Sequence, residues 1–220
     1  MVSMKQFVVL GLGVFGATVA RTLSSYDCEV LAIDNDHEHV EQLAEDVTRA
    51  VIGDITDMEF LKELGVGEFD VGIVAIGNHL EDSILAVMNL KELGVKHIIA
   101  KAQNKRFEDV LLKVGADRVV RPEKEMGEKV ARSLLRNNIT DLIPLDEDYS
   151  VVEMKVPYSW VGKSLSHLNL RKKYNINIIA KRDHFSHKLE FFVDPNERVK
   201  EGDVFLVVAD TEKIEEFDYK

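Results

Sequence analysis

The sequence predicts an α/β protein, with a doubly wound parallel sheet over its first part and a small α+β domain after it. Over the first two thirds of the 220 residues, short β-branched runs alternate with amphipathic segments, as in parallel sheets flanked by helices. Beyond residue 150 the strand-like runs follow one another with little helix between them, which favours antiparallel strands. A glycine-rich turn after the first strand makes the predicted sheet Rossmann-like.

Six strand-and-helix steps form the predicted N-terminal domain, residues 1–139. The fourth strand is a continuous apolar run, which suits a strand covered on both faces. The predicted strands are residues 7–10, 29–34, 49–52, 70–76, 97–101 and 118–120. Helical segments are predicted to start near Val14, Asp36, Asp57, Leu80, Lys105 and Glu123.

The order of elements changes after the last of these helices. Residues 140–149 contain Pro144 and four carboxylates, and we interpret them as a hinge between two domains. Residues 150–220 then form the predicted C-terminal domain. Its predicted elements are strands at 151–156, 176–181, 189–193 and 204–208, a helix over 164–173 and a final helix from Thr211.

The net charge of −11 lies entirely within residues 1–149, which contain 16 basic and 27 acidic residues. Such a field repels phosphate backbones, so nonspecific nucleic-acid binding is not expected. Cys28 is the only cysteine, so no internal disulfide can form. No apolar run reaches the ~18 residues that a membrane-spanning helix needs. We therefore expect a soluble, cytoplasmic protein.

Residues 11–16 match the pattern G-x-G-x-x-G. They directly follow an apolar strand and open a predicted helix, which is the context in which this spacing binds a dinucleotide. Gly11 permits a tight turn, Gly13 lets a phosphate approach the backbone, and Gly16 lets the helix pack closely on the strand. The N–H groups at the helix start can hold an anion. Ordinary turn chemistry is the alternative interpretation.

Asp34 follows Gly16 by 18 residues, at the end of the second predicted strand. A carboxylate there can accept hydrogen bonds from both ribose hydroxyls and repels a 2′-phosphate, which favours an adenosine ligand other than NADP. Asp54 and Gly77 close the third and fourth strands, at the sheet edge where open α/β sheets bind ligands. The alternative role of Asp34 is to cap the next helix.

Several segments together resemble the RCK subunits of bacterial Ktr and Trk potassium-uptake systems. They are residues 11–16, Asp34, and residues 74–77, 101–104, 115–118 and 122–127. Residues 162–165 and 168–171 resemble the C-terminal regulatory domain of this family, so the resemblance spans essentially the whole chain. It implies a nucleotide-binding domain with a crossover helix near its end, then the hinge, and then a ligand-sensing domain.

The resemblance implies a cytoplasmic subunit that is not an enzyme and that gates a separate membrane potassium-transport protein. Such subunits self-associate into dimers and an octameric ring, bind ATP or ADP, in some members NAD or NADH, and change ring shape with the ligand. It also implies Mg²⁺ or Ca²⁺ at the nucleotide, held with the help of Glu123, and cyclic di-AMP near Arg171 and Asn177. The nucleotide-binding residues expected on this basis are Gly11, Gly13, Val14, Phe15, Gly16, Asp34, Asn35, Asp54, Ile55, Ala75, Ile76, Gly77 and Lys101.

Val14 departs from the family pattern, because Ktr-type members usually have a basic residue there that reaches the terminal phosphate in a neighbouring subunit. This departure leaves AMP, ADP and NAD open as ligands.

Two other functions also stay open. One is an NAD-dependent oxidoreductase with His167 as acid or base, and the other is a DNA-binding redox repressor, which the acidity disfavours.

Two apolar stripes at helical spacing can face either the sheet or another subunit, and periodicity alone does not separate these roles. They are Ile84, Leu85, Met88 with Leu93, and Val130, Leu134 with Leu135. Because the family forms rings, the resemblance favours an interface for at least one of them.

Overall fold

A computed structural model of the chain describes residues 5–77, 79–135, 139–182 and 188–218. It forms two compact units, Met1–Met126 and Gly127–Lys220, each of which has its own sheet. Within the described ranges, no helix combines the length and the apolar character needed to cross a membrane.

The first unit alternates strands and helices. Its strands are β1 Gln6–Leu10, β2 Glu29–Asp34, β3 Arg49–Ile52, β4 Val71–Val74, β5 His97–Lys101 and β6 Arg118–Val120. Its helices are α1 Val14–Ser25, α2 His37–Glu41, α3 Met58–Glu63, α4 Leu80–Glu92 and α5 Lys105–Val114, with a short 3₁₀ helix at Val66–Glu68. Helix α6, Pro122–Leu135, contains the boundary between the units.

The six strands of the first unit form one parallel sheet in the order β3-β2-β1-β4-β5-β6. The order reverses between β1 and β4, as in a doubly wound sheet whose crossover helices cover both faces. Alternate residues of β1 accordingly join different clusters, since Val8 and Leu10 pack with Leu90, whereas Val9 packs with Leu43. The predicted fold class of this part is confirmed.

Side chains in the loops after β3 and β5 cap the helices that follow. Asp57 accepts a hydrogen bond from the main-chain N–H of Phe60 at the start of α3, and Asn104 accepts that of Phe107 in α5. Gly115 ends α5 with φ at 125°, a conformation that side chains rarely adopt. These local signals explain why the predicted helix starts lie within one residue of the observed ones.

The second unit is built on an antiparallel sheet in the order β10-β9-β11-β8-β7. Its strands are β7 Ile139–Pro144, β8 Tyr149–Lys155, β9 Asn177–Arg182, β10 Leu189–Glu190 and β11 Val204–Asp210. Its helices are α7 Leu165–Leu168, α8 Leu170–Tyr174 and α9 Thr211–Asp218, with a 3₁₀ helix at Tyr158–Trp160. Met154 and Phe205 pack with Trp160 and Ile214 in its core. The predicted α+β class of this domain is confirmed.

The structure differs from the expected linker at residues 140–149. Residues Ile139–Pro144 pair antiparallel with β8, so most of this segment belongs to a hairpin of the second sheet. The carboxylate of Asp146 accepts hydrogen bonds from the main-chain N–H groups of Asp148 and Tyr149 and thereby closes the turn. Asp146, one of the acidic residues that suggested a linker, therefore forms a turn. A hinge motion at this segment stays a prediction.

Two other elements of the second unit also differ from expectation. The predicted helix over 164–173 is divided into α7 and α8, because Asn169 adopts φ of 47° and a left-handed residue cannot continue a helix. The predicted strand over 189–193 is reduced to Leu189–Glu190, and Phe191 and Val193 beyond it line a cavity.

Candidate functional site

A cleft of about 440 Å³ opens at the carboxyl ends of β1 to β4. It lies where the strand order reverses between β1 and β4, which is the position where open α/β sheets bind ligands. It is lined by Gly11, Gly13, Asp34, Asn35, Asp54, Ile55, Thr56, Ala75, Ile76, Gly77, His79 and Asp82.

The three glycines of the first turn have different roles. Gly11 has φ of +94°, and a Cβ on Gly16 would lie 1.9 Å from the carbonyl oxygen of Gly11. Both glycines are therefore needed for the protein's own packing. Gly13 is different, because a Cβ there would have no atom within 4 Å. The space above Gly13 is open, as the approach of a phosphate requires.

Helix α1 starts at this turn with Gly13 as its N-cap and without a side-chain cap. Its first turn contains no acidic residue, so nothing on the helix itself opposes the positive end of the dipole. Main-chain N–H groups of such a helix start can donate to an anion that enters the cleft.

Asp34, at the end of β2, has only 8% of its surface exposed. Its Oδ2 accepts the main-chain N–H of Leu12 at 2.5 Å, its Oδ1 accepts that of Asp36 at 2.8 Å, and Nδ1 of His39 lies 3.5 Å from Oδ2. Each carboxylate oxygen has a further lone pair that can accept from a ribose hydroxyl. The N-cap of α2 is Asp36, so the helix-cap alternative for Asp34 is wrong.

The lining of the cleft is acidic. Asp34, Asp54 and Asp82 contribute three carboxyl groups, and no Lys or Arg is among the described lining residues. Hydrogen bonds from the hydroxyl and the main-chain N–H of Thr56 hold the pKa of Asp54 below its ordinary value. A phosphate in this cleft must therefore depend on main-chain donors and on charges at its margin.

One such charge is Lys101, at the end of β5. Its Nζ lies 2.6 Å from Oε1 of Glu123 and 5.9 Å from the ring centre of Phe15. The same Nζ lies 3.6 Å from the place where a Cβ on Gly77 would be, so it borders the cleft wall. The hydrogen bond from Lys101 holds the pKa of Glu123 below its ordinary value.

The structure brings most of the predicted nucleotide-binding residues together. Nine of them line the cleft: Gly11, Gly13, Asp34, Asn35, Asp54, Ile55, Ala75, Ile76 and Gly77. Gly16 lies beneath the turn, Phe15 contacts Lys101, and Val14 is 91% exposed and does not line the cleft.

Three lining residues were not predicted: Thr56, His79 and Asp82. Each follows the end of β3 or β4, so the criterion that selected Asp54 and Gly77 could also have selected them.

Glu123 is the carboxylate at which a cation is expected. No group of three His, Cys, Asp or Glu side chains converges anywhere in the part of the chain that the structure describes. Glu123 is about two-thirds exposed, and its partner is Lys101. Mg²⁺ is commonly held by one or two protein carboxylates together with phosphates and water, so one exposed carboxylate beside a phosphate site fits this ion.

A second cavity, of about 370 Å³, lies in the C-terminal unit beside α7 and α8. Arg171 and Asn177, the two residues predicted there, both line it. The rest of its wall consists of Leu165, Ser166, Asn169, Leu170, Ile176, Ile178, Phe191, Val193 and Pro195.

Fold and cleft define a class of protein, in which a Rossmann-like domain with an open glycine-rich turn precedes a small antiparallel domain. The TrkA-N domain family matches residues 7–122, and the TrkA-C domain family matches residues 151–218. This chain belongs to the TrkA-N and TrkA-C domain family.

Two curated relatives match along nearly their whole length. Ktr system potassium uptake protein C of Bacillus subtilis (strain 168) is 40% identical over 216 residues, which are 97% of this chain and 96% of that protein. Ktr system potassium uptake protein A of the same organism is 38% identical over 214 residues, with the same coverage of 97% and 96%.

Solved structures share the fold at low identity. The GsuK channel has a TM-score of 0.68 and 17% identity over 99% of this chain and 39% of that chain. The GsuK channel bound to NAD has a TM-score of 0.64 and 16% identity, over 96% and 38%. The AMP-bound Kef CTD of Shewanella denitrificans has a TM-score of 0.51 and 21% identity, over 60% and 83%. This chain thus spans less than half the length of the GsuK chains.

Proposed function

We propose that this protein is the nucleotide-binding regulatory subunit of a potassium-uptake system. Two observations carry the proposal. The chain is 40% and 38% identical to two Ktr potassium uptake proteins over nearly its full length, and it has an open cleft at the glycine-rich turn. In this proposal the protein is cytoplasmic, reaches the inner face of the membrane through a potassium-transport protein, and controls that partner without being an enzyme.

The proposed ligand is an adenine nucleotide, either ATP, ADP or AMP, with NAD or NADH as the alternative. Its ribose hydroxyls donate to Asp34, and its first phosphate accepts from main-chain N–H groups beside Gly13. The adenine lies toward Ile55 at the end of β3. The carboxylate of Asp34 disfavours NADP, since a 2′-phosphate there would meet a buried negative charge.

Control of the partner requires that the ligand prefers one shape of an assembly over another, because equal affinity for both shapes shifts nothing. We propose dimers and an octameric ring as that assembly. Exposed apolar side chains on the described helices support self-association: Leu85 and Met88 on α4, Leu112 on α5, and Val130 and Leu134 on α6. In contrast, Ile84 and Leu93 pack against the core. The side chain of Leu135 lies outside the described residues.

Two further ligands belong to the proposal. Glu123 supplies one oxygen ligand to Mg²⁺ or Ca²⁺ at the nucleotide phosphates, and a bound cation there would neutralise phosphate charge. Cyclic di-AMP binds the C-terminal cavity, where Arg171 can contact a phosphate and Asn177 a base or sugar.

Binding measurements on the intact chain test the proposal. A thermal-shift screen and calorimetry with ATP, ADP, AMP, NAD, NADH and cyclic di-AMP, each with and without Mg²⁺ or Ca²⁺, should give saturable binding without consumption of the ligand. Expression in cells that lack their own Ktr regulatory subunit should restore growth at low potassium. If no adenine compound binds, the nucleotide part of the proposal is wrong.

The oxidoreductase alternative has no support from the described residues. His167, the candidate acid or base, is exposed on α7 in the second unit, where its main-chain N–H bonds to the Ser164 hydroxyl. Steady turnover of NADH with a carbonyl compound, lost on His167→Ala, would revive this alternative.

A further inference from the structure

Lys101, at the end of β5, is unusually buried for a lysine. Only 12% of its side chain is exposed, although the cleft that it borders is acidic. Its strand, β5, lies beyond β4 on the side of the sheet that a ligand reaches only if it extends past the glycine-rich turn. Lys101 is therefore placed for the distal part of a ligand rather than for its adenosine.

The charge of Lys101 is already neutralised by the protein. Oε1 of Glu123 lies 2.6 Å from its Nζ, and Glu123 is 66% exposed at the start of α6. A side chain this exposed can rotate into solvent without breaking core packing. The buried lysine cannot leave as easily, because its stem is enclosed and its Nζ lies near the ring of Phe15.

We propose that Glu123 restrains Lys101, and that a ligand must displace this carboxylate to use the lysine. The ion pair then makes Lys101 a specificity residue that acts on phosphates beyond the first and not on adenosine. This inference rests on the proposed nucleotide function and deepens it. It assigns to this chain a cationic contact within its own subunit, whereas the exposed Val14 beside the glycine-rich turn supplies no charge.

The physical basis is competition for one cation. A second phosphate that approaches Nζ gains a charge-assisted hydrogen bond but must replace an equivalent bond to Glu123. Removing the Glu123 charge eliminates this cost, so ADP and ATP should bind more tightly while adenosine does not change. An alternative explanation is that the negative charge of Glu123 repels the phosphates directly. In that case the tighter binding after removal of this charge does not require Lys101.

A double-mutant cycle separates these explanations. Calorimetry in excess EDTA, so that no cation occupies Glu123, measures adenosine, AMP, ADP and ATP against wild type, Glu123→Gln, Lys101→Gln and the double variant. We expect Glu123→Gln to tighten ADP and ATP about twofold to fivefold, the range that breaking a partly exposed ion pair allows. Lys101→Gln should weaken ADP, and in that background Glu123→Gln should have clearly less effect.

Equal effects of Glu123→Gln in both backgrounds, or no effect in either, would overturn the inference. Adenosine affinity should stay within about twofold throughout, since none of its groups reaches Lys101. Controls of equal charge change are Asp109→Asn, which breaks an exposed ion pair of 3.2 Å to Lys105 outside the cleft, and Lys105→Gln, which also breaks the 3.0 Å pair of Lys105 with Glu108. If no adenine compound binds even to wild type, the proposed function fails instead. Thermal melts of each variant, with Lys101→Arg as the charge-conserving version, detect loss of folding.

Discussion

The main-chain N–H of Leu12 donates to Oδ2 of Asp34 at 2.5 Å and so joins the glycine-rich turn to the end of β2. The two residues are 22 positions apart, and both are buried. This bond fixes the carboxylate proposed to bind ribose relative to the turn proposed to bind phosphate, so that the two parts of the candidate site are positioned together. The pairing also means that Asp34 has a structural role besides its proposed binding role.

These two roles of Asp34 can be separated by substitution. Asp34→Asn keeps an oxygen that can accept the Leu12 N–H but removes the charge, so adenine-nucleotide affinity should fall about tenfold or more. Asp34→Ala removes the acceptor as well and should also cost about 1–3 kcal/mol of stability, because a buried N–H is left unsatisfied. Calorimetry and thermal melts measure the two effects, and unchanged affinity in both variants would exclude Asp34 from the site.

The charge of Asp34 should also govern the choice between NAD and NADP. In wild type NADP should bind more weakly than NAD, and Asp34→Asn should reduce that difference because the repulsion of the 2′-phosphate is lost. Competition of each dinucleotide against a fluorescent adenine nucleotide measures the ratio. Asp54→Asn is the matched control at the next strand, and an equal change of the ratio there would contradict the assignment.

Alanine substitution should impair ligand binding at Gly13 and protein stability at Gly16. Gly13→Ala has open space and φ of −60°, so it should melt near the wild-type temperature yet lose affinity for AMP relative to adenosine. Gly16→Ala places a Cβ 1.9 Å from the Gly11 oxygen and should destabilise the domain by about 2 kcal/mol or more. Thermal melts with calorimetry test both variants. Normal AMP binding by Gly13→Ala would mean that no phosphate approaches this turn.

The sequence predicted the first unit better than the second. In the first unit, local signals mark where helices begin and end, as Asp57 does at the start of α3 and Gly115 at the end of α5. In the second unit the decisive features are not local. Strand β7 exists because it pairs with β8, and the acidic composition of residues 140–149 hides that pairing. The left-handed conformation of Asn169 is likewise not specified by its neighbours.

The cleft was predictable where it depends on strand ends and not where it depends on contacts distant in sequence. Gly11 and Asp34 follow from spacing along the chain. The ion pair between Lys101 and Glu123 joins residues 22 positions apart on β5 and α6. The family resemblance suggested both residues separately, and their contact is visible only in the structure.

Lys181 in the second unit should control alkaline stability. Burial lowers the pKa of this lysine, but the hydrogen bond to Glu197 and the charge of Asp203 raise it more, so its pKa is above the ordinary value. The pairing therefore stabilises the fold fully below about pH 10, the ordinary lysine pKa, and less as pH rises through the higher folded value. Lys181→Met leaves Asp203 buried without its cation and should cost about 3 kcal/mol at pH 7.

Trp160 provides the readout, because it is the only tryptophan and lies in the core of the second unit. Urea unfolding followed by its fluorescence should show the loss of stability at pH 7 and a smaller decline above pH 10 for Lys181→Met than for wild type. Lys155→Met, at an exposed position at the end of β8, is the control and should unfold like wild type. Parallel alkaline curves for Lys181→Met and wild type would contradict the assignment.

Met88 on α4 tests whether the exposed apolar faces are interfaces. Its side chain is 49% exposed one helical turn from Leu85, at 46%, so both are available to a second copy of this chain. Burial of such a side chain contributes about 1.5–3 kcal/mol, and Met88→Glu replaces it with a charge, so self-association should weaken about tenfold or more. Light scattering across a concentration series measures this change.

Tyr26→Glu is the control, because it alters a side chain that is 77% exposed at the end of α1, and it should leave the mass unchanged. A wild-type monomer at every concentration, with or without nucleotide, would contradict ring assembly, and equal masses for Met88→Glu and wild type would place the interface elsewhere.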